Sequence, residues 1–262
     1  MSVEGLSATP HLRGATNFRD LGGFQTEAGA MVRSGLIFRS DDLSRAPDTD
    51  LEQLARLKLK LIFDLRTNKE RGNRPHKAGR AGIKIVNIPM QAESQAITAR
   101  RLLKFIVQNP RQLDFGLLKR KMYHNMVQER TGQVGKIIAL LSDKNNLPAA
   151  IHCSGGMDRT GYISALIQLL LGLPYPTVMG EYLRSNDLMR PRMRRLAAVI
   201  KWATLFQIRS EHLQPLLEVQ FEYLDCIIKK IIHQYGSVEN YMCSACHLDE
   251  GSIAAIKELL VE

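Results

Sequence analysis

Ile151-His152-Cys153-Ser154-Gly155-Gly156-Met157-Asp158-Arg159-Thr160-Gly161 joins two apolar runs of unlike length. Upstream, LPAAIHC (147–153) has the length and composition of a buried strand. Downstream, RTGYISALIQLLLG (159–172) is apolar on nearly every side, as a central helix is, and Gly172 and Pro174 stop it. A strand that feeds a helix through a glycine-containing loop is the unit of an α/β sheet. GLIFRS (35–40), LKLIFDL (59–65) and IKIVNIP (83–89) read as further strands. Between the first two, Thr49 with Glu52 forms a capping box, and Leu51, Leu54 and Leu57 follow at helical spacing. Three helical stretches are expected between 94 and 142. From 174 onward everything reads as helix: a long basic stretch over 188–234, another helix opened by YGSVENYM (235–242), and a last one at SIAAIKELL (252–260). The expected fold is α/β, a mostly parallel central sheet flanked by helices. A weakly ordered tail spans 1–13, one domain spans 14–262, and a helical insertion lies at about 188–234.

The loop carries the chemistry. Ligands of open α/β sheets bind at the carboxyl ends of the strands. A helix N-terminus there offers unpaired N–H groups and the positive end of a dipole. Gly155 and Gly156 let the backbone curl so that successive N–H groups point inward as an anion nest. Arg159, six residues after Cys153, can hold two phosphate oxygens with its planar fork. Cys153 then lies beneath a ring of donors that favours its thiolate. From there it is placed for in-line attack on a cradled phosphorus.

This pattern resembles the His-Cys-x5-Arg-Thr loop of the cysteine-dependent phosphatases. With NFRDLGGFQTEAG (17–29), VRSGLIFRSDDLS (32–44), LIFDLRTNKER (61–71), EYLRSN (181–186) and YGSVENYM (235–242), the chain is similar to the bacterial and fungal tyrosine phosphatase-like, atypical dual-specificity family. The resemblance runs from about residue 14 to 260, with the motifs in the family's order. It implies the cysteine-phosphatase fold and hydrolysis of phosphotyrosine, with phosphoserine and phosphothreonine as further substrates, through a phosphocysteine intermediate. No metal and no cofactor are implied.

Carried over residue by residue, Cys153 is the nucleophile and Arg159 binds the phosphoryl group. The backbone of Ser154, Gly155, Gly156, Met157, Asp158 and Arg159 stabilises its oxygens, and Asp158 is the general acid. The only tryptophan, Trp202, is followed by Ala203, so no separate Trp-Pro-Asp acid loop exists. Thr160 is expected to donate its hydroxyl to the sulfur, and His152 to orient the loop. Family loops active on phosphoinositides usually carry lysine where Met157 stands, which ranks phosphotyrosine first. A phosphoinositide phosphatase and a weakly catalytic phospho-binding module are the alternatives.

Asp64 and Arg66 end a strand expected beside the catalytic one. They form either a polar pair at the phosphate, with Asp64 a second acid, or a structural ion pair. Arg19, Asp20, Arg39, Ser40 and Asp42 read as scaffold contacts. Cys243-Ser244-Ala245-Cys246-His247 spells a c-type haem attachment motif. Without an export signal, and within the family resemblance, these cysteines read as buried thiols of a C-terminal helix.

Four cysteines in 262 residues are too few for a disulfide scaffold and suit a reducing compartment. No segment approaches the ~18 apolar residues of a membrane span. The N-terminus lacks a basic start followed by an apolar core. The expected location is the cytoplasm, or a host cell reached without a Sec signal. The charge of +10, from 36 Lys and Arg against 26 Asp and Glu, points to anionic partners. Its clusters lie at 100–121 and 184–195. A phosphorylated protein or peptide is the leading partner and anionic lipid the second. Nucleic acid ranks last, for want of any helix-turn-helix, zinc-finger or RNA-recognition signature. The position of 188–234 just after the core suggests a helical lid.

Overall fold

The computed structural model describes residue 10 and residues 12–72, 76–94, 99–108 and 114–262. Five short strands form one sheet: β1 (Arg19–Asp20), β2 (Ile37–Ser40), β3 (Leu61–Asp64), β4 (Lys84–Asn87) and β5 (Ala149–His152). Their spatial order is β1-β2-β5-β3-β4, with β1 antiparallel and the rest parallel. The last strand in sequence is therefore the central one. Its His152 lies level with Ser40 of β2 and with Asp64 of β3. Three sequence motifs thus end at one edge of the sheet.

The strands alternate between two cores, as a period of two requires. Ile37, Leu61, Phe63, Ala149 and Ile151 face the larger core. Phe38, Ile62 and Ala150 face the smaller one, with Leu54 of α1 (Asp48–Arg56). Of the tail expected over 1–13, residues 1–9 and 11 lie outside the described residues. Leu12 is buried in the smaller core, and the amides of Arg13 and Gly14 donate to Asp50. The expected capping box at Thr49 is absent. The helix starts two residues earlier than that box requires, after Pro47, and makes no side-chain cap. A capping box forms instead at α2 (Asn68–Arg71), between Thr67 and Glu70.

The three helices expected between 94 and 142 are α3 (Ala99–Gln108), α4 (Phe115–Glu129) and α5 (Thr131–Leu141). The helix that follows the glycine-containing loop is α6 (Asp158–Leu170), buried along almost its whole length. Gly172 follows it in the left-handed region, at φ 82°.

The stretch 188–234 is not one helix. Its first part continues α7 (Tyr175–Ala203), which already contains EYLRSN. A turn leads to α8 (Ser210–Leu217), and an extended link at Glu218–Gln220 leads to α9 (Phe221–Tyr235). Helices α8 and α9 pack against α4. A small separate core of Ile106, Phe115, Ile200, Ile208 and Leu213 joins α3, α4, α7 and α8.

The chain closes with α10 (Val238–Ser244) and α11 (Glu250–Leu260). The Cys-x-x-Cys-His string does not lie within a helix. α10 ends at Ser244, and the chain turns at His247 with φ 57°. Cys246 is buried, and burial pushes its thiol up to about 12. Cys243 is half-buried and Cys226 is exposed, so the remaining thiols are not uniformly core residues.

Gly135 of α5 lets that helix meet this turn. A Cβ there would lie 2.1 Å from the Cys246 carbonyl oxygen. Gly135→Ala should therefore destabilise the protein by about 2–4 kcal/mol. Differential scanning calorimetry should show the midpoint falling by roughly 5–15 °C.

Candidate active site

Residues 153–157 cross from the end of β5 to the start of α6 beneath the edge shared by β2, β3 and β5. Cys153 is 2% exposed, and its Sγ accepts the Gly156 amide at 3.2 Å. Asn17 Nδ2 donates to the carbonyls of Gly155 (3.3 Å) and Gly156 (2.9 Å). Arg39 Nη2 donates to the Gly156 carbonyl at 2.8 Å. A trans peptide plane sends its C=O and N–H in opposite directions. Pulling these two carbonyls outward therefore turns the amides of Gly156 and Met157 the other way, toward the concave side. Gly156 sits at φ 65°, and a Cβ on it would lie 2.5 Å from both Asp41 N and Ser40 O. Only glycine fits that approach.

The donors to these carbonyls are fixed in turn. Arg19 bonds Asn17, Ser185 Oγ (3.1 Å), the Glu181 carbonyl (2.7 Å) and the Glu181 carboxylate (3.1 Å). Arg39 is 1% exposed and shares Ser185 Oγ at 3.2 Å. Burial, then the nearby charge of Arg19, presses the Arg39 pKa well below its ordinary value. NFRD, FRSDD and EYLRSN thus meet behind the loop. Asp20 accepts the amides of Gly22 and Gly35, and Asp42 caps the turn at Ser44.

Asp64 is fully buried. Its oxygens accept from Arg66 Nε at 2.9 Å and Arg66 Nη2 at 2.7 Å, while Arg66 Nη1 reaches Asp42 at 2.8 Å. Asp64 and Asp42 thus share one guanidinium in a connected ion-pair network. His152 is also fully buried, between Asp64 (3.8 Å) and His76 (3.2 Å), and its Nδ1 lies 3.3 Å from the Cys153 carbonyl. Burial lowers its pKa. Burial and the charge of His152 bring His76 down to about 4.

Glu70 carries no role in the sequence reading, yet it is the main partner of Arg159. Arg159 Nη1 and Nη2 donate to its two carboxylate oxygens at 2.6 and 2.7 Å. Ser154 Oγ donates at 2.9 Å and the Thr67 amide at 3.0 Å. Burial pushes Glu70 up, but the hydrogen bonds and charge of Arg159 overcome it and hold the carboxyl at about 2. Guanidinium has five N–H donors. The Nε–H and one N–H on each Nη remain for a ligand. The Thr67-x-x-Glu70 capping box was the available signal for this position.

Asp158 opens α6. Its carboxylate is ion-paired with Lys119 and accepts Tyr123 OH at 3.1 Å; Tyr123 in turn lies 2.7 Å from Tyr182 OH. Burial, then the Asp158 charge, raises the Tyr123 phenol well above its usual range, so it stays a donor. No local pattern links α4 to the loop, since the pairs span 35 and 39 residues. Met157 is 5% exposed and packs into the larger core. Among the described residues the buried Thr160 hydroxyl has no hydrogen-bond partner, so the expected bond to the sulfur is not made in this conformation. No cluster of three or more His, Cys, Asp or Glu suited to a metal occurs among the described residues. No helix among them is long and apolar enough to cross a membrane.

The chain is 30% identical over 235 residues to the Cupriavidus necator protein named "Putative tyrosine-protein phosphatase H16_A0669", covering 89% of this chain and 82% of that one. It is 25% identical over 265 residues to the triple specificity protein phosphatase PtpB of Mycobacterium tuberculosis, covering 91% and 94%. The core catalytic domain of the PP-IP phosphatase SIW14 from S. cerevisiae aligns with a TM-score of 0.39 at 18% identity, covering 86% of this chain and 94% of that one. The model of the tyrosine phosphatase family matches residues 10–262, a span that includes all five strands and the loop between β5 and α6. With a match of that extent, the chain belongs to the tyrosine phosphatase family and is a phosphatase.

Proposed function

We propose that this phosphatase hydrolyses phosphotyrosine in proteins, with phosphoserine and phosphothreonine as further substrates, and that Cys153 is its nucleophile. The observation that carries the assignment is the buried sulfur at the base of a loop whose amides are turned inward. The Cys153 thiolate attacks phosphorus, and the bond from phosphorus to the tyrosyl oxygen breaks. Asp158 delivers a proton to the leaving oxygen. Water then attacks the phosphocysteine and the Asp158 carboxylate takes a proton from it. Phosphate and the thiolate are released.

Such transfer depends on positioning and charge stabilisation. Inward amides and the free edge of Arg159 supply both. Glu70 fixes the plane of Arg159 from the far side, and Lys119 with Tyr123 orients Asp158. Met157, packed into the core, brings no cation to the loop, which supports phosphotyrosine ahead of phosphoinositides. Arg192 Nη1 pairs with Asp41 Oδ2 at 2.9 Å, beside the loop glycine. That tie supports a covering role for 188–234.

Three variants test these roles. Cys153→Ser should abolish turnover of both an aryl phosphate and a phosphotyrosine peptide. Asp158→Ala should lower kcat on the peptide by about 10²-fold but spare the aryl phosphate, whose leaving group needs less protonation. Equal losses on the two substrates would remove Asp158 as the acid.

Glu70→Gln should lower kcat/KM by roughly tenfold through Arg159. It should also change the pH dependence of stability. Glu70 titrates lower in the folded chain, at about 2 against a reference of 4.5. Its contribution is therefore complete above the unfolded value and disappears as pH falls toward the folded one. Urea titrations should find Glu70→Gln less stable by about 2 kcal/mol at pH 7. That gap should close between about pH 4.5 and 2.

A further inference from the structure

Beyond its middle, α7 runs out to a tip that the catalytic site does not use. On one face of its last turns, Leu196, Val199 and Trp202 recur every three residues and are 39%, 54% and 70% exposed. The opposite side buries Ile200 and Thr204. The chain then turns through Leu205 and Phe206, 78% and 59% exposed, both in the left-handed region at φ 49° and 59°. Two successive non-glycine residues with that backbone are costly. The turn spends that cost on holding large apolar side chains in water. Trp202 and Phe206 meet edge to face with ring centroids 5.0 Å apart.

Cations border this patch. Arg194, Arg195 and Arg209 are exposed and make no ion pair among the described residues, and Lys201 donates to Ser210. An apolar stripe capped by tryptophan and bordered by arginine is the chemistry of a helix lying in a bilayer interface. Arginine favours anionic headgroups, and a patch of this kind on a monomer marks an interaction site. The occupant must therefore offer both apolar depth and negative charge, which an anionic bilayer does.

We infer that the C-terminal end of α7 and the turn after it dock on an anionic membrane surface. The docked helix lies on the membrane and does not span it. From Arg192, ion-paired at the rim of the site, to Trp202 is about 15 Å along the helix axis. Docking therefore holds the phosphate loop close to the bilayer, within reach of phosphorylated groups displayed there. The inference stands apart from the roles assigned to Cys153 and Asp158.

Trp202 is the chain's only tryptophan, so its fluorescence reports the tip alone. The full chain is mixed with vesicles of phosphatidylcholine, or of phosphatidylcholine with about one-third phosphatidylserine. Expected with the anionic vesicles are a blue shift, quenching by brominated acyl chains, and co-sedimentation that high salt reverses. Arg194→Glu with Arg195→Glu should weaken co-sedimentation by about tenfold or more. Phe206→Glu should weaken it comparably while keeping the tryptophan probe. Each variant should keep the wild-type far-UV circular dichroism and thermal midpoint, which shows that it is folded. Unmoved emission, or equal binding to neutral vesicles, would overturn the inference. So would a blue shift that rises with protein concentration without vesicles, accompanied by a dimer that Trp202→Glu abolishes. The patch would then be an interface between copies of the chain.

Discussion

The outward pull on two carbonyl groups organises this molecule. Asn17 takes the Gly155 and Gly156 carbonyls, and Arg39 takes the second again. The loop could otherwise satisfy those oxygens with water and relax its curl. Because each peptide plane is rigid, fixing the oxygens fixes the amides on the opposite side. One of those amides is already on the Cys153 sulfur. The curl of the loop is thus imposed from behind by two buried side chains, and glycine at 156 is what lets the backbone come close enough.

That constraint accounts for the burial of so much polar matter. Asn17, Arg19, Arg39, Glu181 and Ser185 are all under a tenth exposed. Buried charges are tolerable when paired and hydrogen-bonded, and here the bonds form one connected set. A second set lies on the other side of the loop, where Glu70 joins Ser154 to Arg159. A third, Lys119 with Tyr123, reaches Asp158 from α4. Helices α8 and α9 brace α4, so the segment after EYLRSN bears on the site through Asp158 as well as through Arg192.

The surplus positive charge divides by environment. Some arginines are internal and hold the loop. Others stand on the exposed end of α7 beside apolar side chains that no part of the described fold covers. Burial decides the difference: an internal guanidinium acts through fixed hydrogen bonds, whereas an exposed one acts on whatever anion approaches.

The sequence by itself determined the strand, loop and helix around Cys153, because burial, periodicity and glycine placement are local signals. It also placed the strand that ends at Asp64 beside the one that leads into the loop. The capping box at Thr49 failed because Pro47 already set the helix start, and the basic stretch at 188–234 broke where Leu205 and Phe206 take left-handed backbone. Tertiary structure alone decided that Glu70 pairs with Arg159 and that Lys119 and Tyr123 hold Asp158. Such contacts join residues tens of positions apart. Side-chain hydrogen bonding leaves no periodic trace in a chain, so only packing can reveal which partners meet.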